Sequence, residues 1–140
     1  MLWCGDARNI DDFFSFDQIL LDAPCSGSGT ICLRNPKLEE TFTIKLIEKS
    51  VKTQIGLLKK AINLLKPKQE MVYSTCSILK NENEEVLQKV MKGKNIEIVP
   101  IQFEGMELLP LLPTTLEGTI CVQPNELYEG FFICKIRKIS

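Results

Sequence analysis

The 140-residue chain predicts one α/β domain over residues 1–140. Three observations predict it. Two short apolar runs each end in a cysteine-bearing loop, one long amphipathic segment lies between them, and alternating apolar residues follow toward the C-terminus. The order strand, helix, strand, helix and then three strands implies a sheet with a β-hairpin at its C-terminal edge.

The first strand is Phe16-Asp17-Gln18-Ile19-Leu20-Leu21-Asp22, short, apolar and closed by the loop Ala23-Pro24-Cys25-Ser26-Gly27-Ser28-Gly29. The polar stretch Leu33-Arg34-Asn35-Pro36-Lys37 reads as an exposed loop. Ile44, Ile47, Val51, Ile55, Leu58, Ile62 and Leu65 then recur at steps of three and four, one face of a helix of about six turns that Pro67 stops. Met71-Val72-Tyr73-Ser74-Thr75-Cys76-Ser77 is a second strand entering a loop. Asn81 and Glu84 have the spacing of a capping box for a second helix with Val86, Leu87, Val90 and Met91, ending at Gly93. Ile96–Val99, Thr119–Val122 and Phe131–Ile136 complete the strands, the last two joined through Pro124-Asn125-Glu126.

A chain of this size buries roughly two-thirds of its unfolded surface, enough for a core without disulfide or metal staples. No apolar run reaches the ~18–20 residues of a membrane span. The start, Met1-Leu2-Trp3-Cys4-Gly5-Asp6, lacks the pattern of a secretory signal, so a cytoplasmic protein is expected. The net charge of −1, from 17 basic and 18 acidic residues, gives no case for wholesale nucleic-acid binding, although a local basic patch is compatible with it. Histidine is absent, which removes His-based metal sites and Ser–His or Cys–His pairs. Proton chemistry then falls to Asp, Glu, Lys, Tyr or Cys. The six cysteines, at 4, 25, 32, 76, 121 and 134, contain no C-x-x-C pair, so no metal site is expected and the thiols read as reduced.

Ligands of open α/β sheets sit outside the carboxyl ends of the strands. A right-handed crossover through one helix makes the first two strands parallel neighbours. Cys25, Cys76 and Asp22 can then share a cleft; the alternative is that both thiols merely cap core strands. The Gly27-Ser28-Gly29-Thr30 loop lacks the Gly-Lys-Ser/Thr ending of a phosphate loop, and turn flexibility explains it better than anion binding.

These residues carry a family resemblance. Phe16 through Gly27 resembles the signature of the RsmB/NOL1/NOP2/Sun family of RNA cytosine-C5 methyltransferases, with Gln18 a minor departure. Val72-Tyr73-Ser74-Thr75-Cys76-Ser77 is similar to the family's second cysteine motif, which Asn83-Glu84-Glu85 continues. Gly5-Asp6-Ala7 resembles the motif after the family's third strand, and Pro124-Asn125-Glu126 through Gly130-Phe131-Phe132 and Lys135 resembles its closing motif. The resemblance runs from Gly5 to Lys138.

It implies a partial Rossmann-like class I fold that uses S-adenosylmethionine. It implies Cys76 as the nucleophile that adds to cytosine C6, Cys25 in release of the covalent product, and Asp22 on the cytosine N3/N4 edge. Asp6 and Asp22 are the implied cofactor contacts. The chemistry suits the residue types, since thiolate addition gives C5 the enamine character needed to take a methyl group. The implied partner is RNA, engaged with the target base out of its stack. The closing motif looks closer to bacterial small-subunit rRNA members, so rRNA is the expected substrate. Arg34, Lys37 and Lys135, with Arg137 and Lys138, are candidate phosphate contacts; the alternative is ordinary solvated side chains.

One departure matters. The family's cofactor site begins with a glycine-rich loop and an acidic residue on the next strand, and neither has a counterpart among the glycines at 5, 27, 29, 56, 93, 105, 118 and 130. The expected reading is therefore the C-terminal portion of a methyltransferase domain, with an apolar edge beside Phe16–Asp22. The alternative is a catalytically inactive RNA- or partner-binding module.

Overall fold

Residues 2–31 and 42–140 are described by the computed structural model. Strand β1 (Phe16–Asp22) leads, after the residues outside that description, to helix α1 (Ile44–Leu64) and strand β2 (Leu65–Thr75). Helix α2 (Glu84–Met91), strands β3 (Ile96–Val99), β4 (Leu111–Leu112) and β5 (Ile120–Val122), and the closing strand β6 (Phe131–Lys138) follow. The six strands form one sheet in the order β1-β2-β6-β5-β4, with β3 also paired to β6. β1 and β2 run parallel; every β6 pairing is antiparallel.

Helix α1 forms where its periodicity places it. Thr43 caps it, the hydroxyl accepting the Leu46 N–H at 3.2 Å. Its inner face buries Leu57, Leu58, Ala61, Ile62 and Leu64. Its carboxyl end is held by a distant cation: the Lys138 ammonium donates to the carbonyls of Ile62 (3.0 Å), Asn63 (3.3 Å) and Leu65 (2.7 Å). These are carbonyls that a helix end leaves unpartnered, and a cation there also suits the helix dipole.

The helix ends before Pro67, and β2 begins at once. Pro67 lies in an irregular stretch where the β1–β2 register jumps from Phe16↔Leu65 to Gln18↔Glu70. Lys68 takes a left-handed backbone there, with φ of 66°. A bulge tolerates a residue without an N–H inside an otherwise central strand.

The core lies between the sheet and the two helices. Met71 and Tyr73 of β2 and Phe132, Cys134 and Ile136 of β6 meet Leu58, Ala61 and Ile62 of α1 and Val86, Leu87 and Val90 of α2. Tyr73 and Phe132, both fully buried, pack edge to face with centroids 6.5 Å apart. The opposite sheet face carries charge. Glu70 takes Lys135 and Arg137 at 2.6 Å each, and Arg137 reaches Glu97 at 3.0 Å.

Three expectations need correction. The β5–β6 hairpin exists, but β6 lies inside the sheet, because it pairs with β2 along six residues from Glu70 to Thr75. Strand β4 carries no alternation long enough to reveal it. The Asn81–Glu84 capping box does not form: α2 starts at Glu84, and Asn83, which precedes it, makes no side-chain cap. Its amide is engaged elsewhere, as described below. The termination near Gly93 does hold, with that glycine at φ of 74° just beyond the helix.

Candidate active site

The carboxyl ends of β1 and β2 lie side by side, Asp22 opposite Ser74 in the register. Pairing continues one step further through the Ala23 N–H and the Ser74 carbonyl at 2.8 Å. The following residues bring the two cysteines into contact. Cys25 Sγ and Cys76 Sγ are 3.0 Å apart, and both are free thiols. Burial pushes the Cys25 thiol up to about 12, and its hydrogen bond with Cys76 acts in the same direction. Cys25 is therefore protonated near neutral pH, and the two thiols share one hydrogen bond. Asp22 is solvent-exposed, and its Oδ1 accepts the Ser74 hydroxyl at 2.8 Å.

A buried polar network holds these loops. Thr75 Oγ1 donates to Asn83 Oδ1 at 2.6 Å, and the Asn83 amide donates to the Ser77 carbonyl at 2.8 Å. The Ser28 and Ser77 hydroxyls are 2.9 Å apart. Tyr73 Oη donates to the Glu82 carbonyl at 2.8 Å, and burial drives its phenol pKa upward. The Glu82 carboxylate is the hub. It accepts the Ser26 N–H (2.7 Å), the Ser26 hydroxyl (2.6 Å), the Ser77 hydroxyl (2.5 Å) and the Gln54 amide (3.3 Å).

Glycines close the site from the other side. Gly29 N–H donates to the Cys76 carbonyl at 2.9 Å, and Gly130 N–H to the Gly29 carbonyl at 2.7 Å. A Cβ on Gly29 would lie 2.3 Å from the Gly130 carbonyl oxygen, closer than any real side chain sits. The Pro124–Phe132 motif thus meets the first cysteine loop backbone to backbone. The same bonds settle the loop of residues 27–30: the Gly29 amide is already engaged and the Thr30 amide donates to the Gly27 carbonyl, so neither is free to cradle an anion.

The remaining candidates are placed as follows. Asp6 precedes a 3-10 turn over Ala7–Asn9 that lies beside α1. Its carboxylate takes the Arg8 guanidinium at 2.5 Å and is lowered to about 2 by that partner. Arg34, Lys37 and Cys32 lie outside the described residues. Lys135 sits in mid-strand, opposite Val72 and three register steps from Thr75, about 10 Å along the strand. Bound to Glu70, it would have to leave that carboxylate to meet a phosphate. Among the other cysteines, Cys121 and Cys134 are core residues, pushed up to about 11 and about 12 by burial. Cys4 is exposed.

Sequence reasoning missed Glu82 and Ser26 as parts of the site. The only signal was position, since each is close in sequence to a cysteine loop, and an Asn-Glu-Asn-Glu-Glu run reads as a solvated helix start.

Residues 1–137 match the sequence family described as 16S rRNA methyltransferase RsmB/F. The ribosomal RNA small subunit methyltransferase F of Shewanella woodyi is 40% identical, across 96% of this chain and 29% of its own length. That of Vibrio atlanticus is 36% identical, across 89% and 26%. The structure of NSun6 from Pyrococcus horikoshii with SFG superposes with a TM-score of 0.81 at 31% identity, covering 100% of this chain and 35% of that one. The chain thus spans less than a third of the length of these curated relatives. With matches reaching across nearly all of its residues, the chain belongs to the 16S rRNA methyltransferase RsmB/F family.

Proposed function

We propose that this chain carries the cysteine-bearing part of an RNA (cytosine-5)-methyltransferase that acts on ribosomal RNA with S-adenosylmethionine as methyl donor. The observation that carries the reading is the 3.0 Å contact between Cys25 and Cys76 at the carboxyl ends of adjacent parallel strands. The rRNA methyltransferase relatives support the substrate class, and the SFG-bound NSun6 relative supports the donor.

The two thiols have unequal roles in this reading. Cys25, held protonated, donates a hydrogen bond that stabilises negative charge on Cys76 Sγ, the nucleophile. Addition of that sulfur to cytosine C6 makes C5 nucleophilic, and C5 takes the methyl group. Asp22 faces the base edge, aligned by the Ser74 hydroxyl. Removal of the C5 proton then returns the electron pair to the C5–C6 bond and expels Cys76. As the C6–S bond breaks, Cys25 gives its proton to the departing Cys76 sulfur beside it and takes the C5 proton in its place.

The residues present fit one side of the donor. Asp22 is an exposed carboxylate able to accept its hydroxyl or amino hydrogens, whereas both oxygens of Asp6 already accept from Arg8 and would have to share those bonds; S-adenosylmethionine would supply the methyl group. The first cysteine loop does not supply a glycine cradle for it, since Gly29 is packed against Gly130.

The test is a chimera in which this chain replaces the matching segment of the Shewanella woodyi relative. Incubated with S-adenosylmethionine and 5-fluorocytosine-containing rRNA fragments, it should form a covalent adduct that survives denaturing electrophoresis. Cys76→Ala should abolish the adduct, and Cys25→Ala should accumulate it even on unmodified RNA. An adduct that persists in Cys76→Ala would overturn the assignment.

A further inference from the structure

Four hydrogen bonds converge on one carboxylate that belongs to neither cysteine motif. Glu82 is fully buried. Its Oε1 accepts from the Ser26 backbone and from the Gln54 amide, and its Oε2 accepts from the Ser26 and Ser77 hydroxyls. Ser26 follows Cys25, and Ser77 follows Cys76. Each sulfur is therefore one residue from a group bound to the same carboxylate, although the two loops lie about fifty residues apart in the chain. Gln54 adds a third element, because its amide also donates to the Pro24 carbonyl at 2.9 Å. Glu82 itself is held from behind by the Tyr73 phenol on its carbonyl.

We propose that Glu82 is a positioning residue for the thiol pair: it clamps the Cys25 loop to the Cys76 loop and so sets the contact between the two sulfurs. All four of its partners offer hydrogens, which only an acceptor with two oxygens satisfies at once. A glutamine keeps the shape but turns an NH2 toward two of those donors, and must either reorient the serines or part the loops. The negative charge of Glu82 also works with burial to keep Cys25 protonated. The clamp is a statement about this chain alone; its use in methyl transfer rests on the cytosine reading above.

The test reads the sulfur–sulfur contact without RNA or methyl donor. Phenylarsine oxide condenses with two thiols, releasing water and placing both sulfurs on one arsenic. Intact mass and peptide mapping of the full chain should show one arsenic bridging Cys25 and Cys76. In Glu82→Gln, folded by circular dichroism, the bridging rate should fall about tenfold or more, the scale that misplacement of about 1 Å produces. Alkylation of exposed Cys4 should not change. The Ser26→Ala/Ser77→Ala double variant removes both hydroxyls and should reproduce the loss; it carries the test if Glu82→Gln does not fold. Glu82→Asp, which keeps two oxygens on a shorter arm, should recover part of the rate. A folded Glu82→Gln that bridges within about twofold of the parent overturns the clamp, because a merely structural role lowers the melting temperature without changing the contact in folded molecules. Failure of the chimera to trap RNA while the bridging results hold would overturn the cytosine reading and leave the clamp in place.

Discussion

The two sides of strand β1 are packed in opposite ways. Its carboxyl end runs into the cysteine loops, where Ser28, Ser74, Thr75, Ser77, Glu82 and Asn83 are all buried and all hydrogen-bonded. Its outer side is an edge among the described strands, with Leu20 74% exposed. The segment before it continues that surface through Phe13, Phe14 and Phe16, of which the last two stack at 6.4 Å. Burial of polar groups is tolerated where they find partners, and among the described residues on the thiol side only the Gln54 side-chain oxygen lacks one. An exposed apolar edge strand is a template for pairing, and no strand among the described residues pairs with β1 on that side. The thiol site is thus organised by the chain's own core, and the edge is not.

The largest effect should come from the core that supports the thiol side. Phe132→Ala removes the ring packed on Tyr73 and should cost about 3–5 kcal/mol in urea denaturation. The same variant should free both cysteines for alkylation together. If the thiols stayed in contact while stability fell, the site would be independent of the β2–β6 core.

A smaller effect separates the thiols themselves. Raising a thiol pKa lowers its thiolate fraction at any given pH below that value. With Cys25 near 12, its alkylation by iodoacetamide at pH 8 should be about a hundredfold slower than that of an ordinary exposed thiol, after allowing for the greater nucleophilicity of a more basic sulfur. The Cys25 rate should keep climbing with pH through 10–11, where an ordinary thiol, with a pKa of about 8.5, has levelled off. Mass spectrometry of the labelled peptides measures both, with Cys4 as the exposed site in the same chain. Equal rates at pH 8 would mean that the pair is not formed in solution.

The smallest effect should come from the other side of the comparison. Leu20→Lys changes an exposed position and should alter stability by no more than about 0.5 kcal/mol. It should nonetheless reduce self-association in sedimentation velocity, since a charge on an edge strand blocks pairing. A large loss of stability would show that the edge is already covered in the folded chain.

Much of this architecture was legible in the residues. The spacing from Ile44 to Leu65 determined α1, because a helix face repeats every three or four positions whatever it packs on. Two apolar runs joined by one helix determined parallel strands with both cysteine loops at the same end, since chain connectivity and crossover handedness leave few alternatives. The cysteine and aspartate candidates followed from that placement. What the tertiary structure decided were the pairings between distant residues. β6 entered the middle of the sheet by matching β2, a choice among edges that local alternation does not encode. Lys138 became the cap of a helix some 75 residues away, and Lys135 a partner of Glu70, where charge alone suggested RNA phosphates. Glu82, inconspicuous in an acidic run, became the hub between two loops because burial and four donors met at one point. Periodicity and connectivity are properties of a segment, whereas a buried hydrogen bond is a property of two segments brought together, and only the folded chain specifies the second.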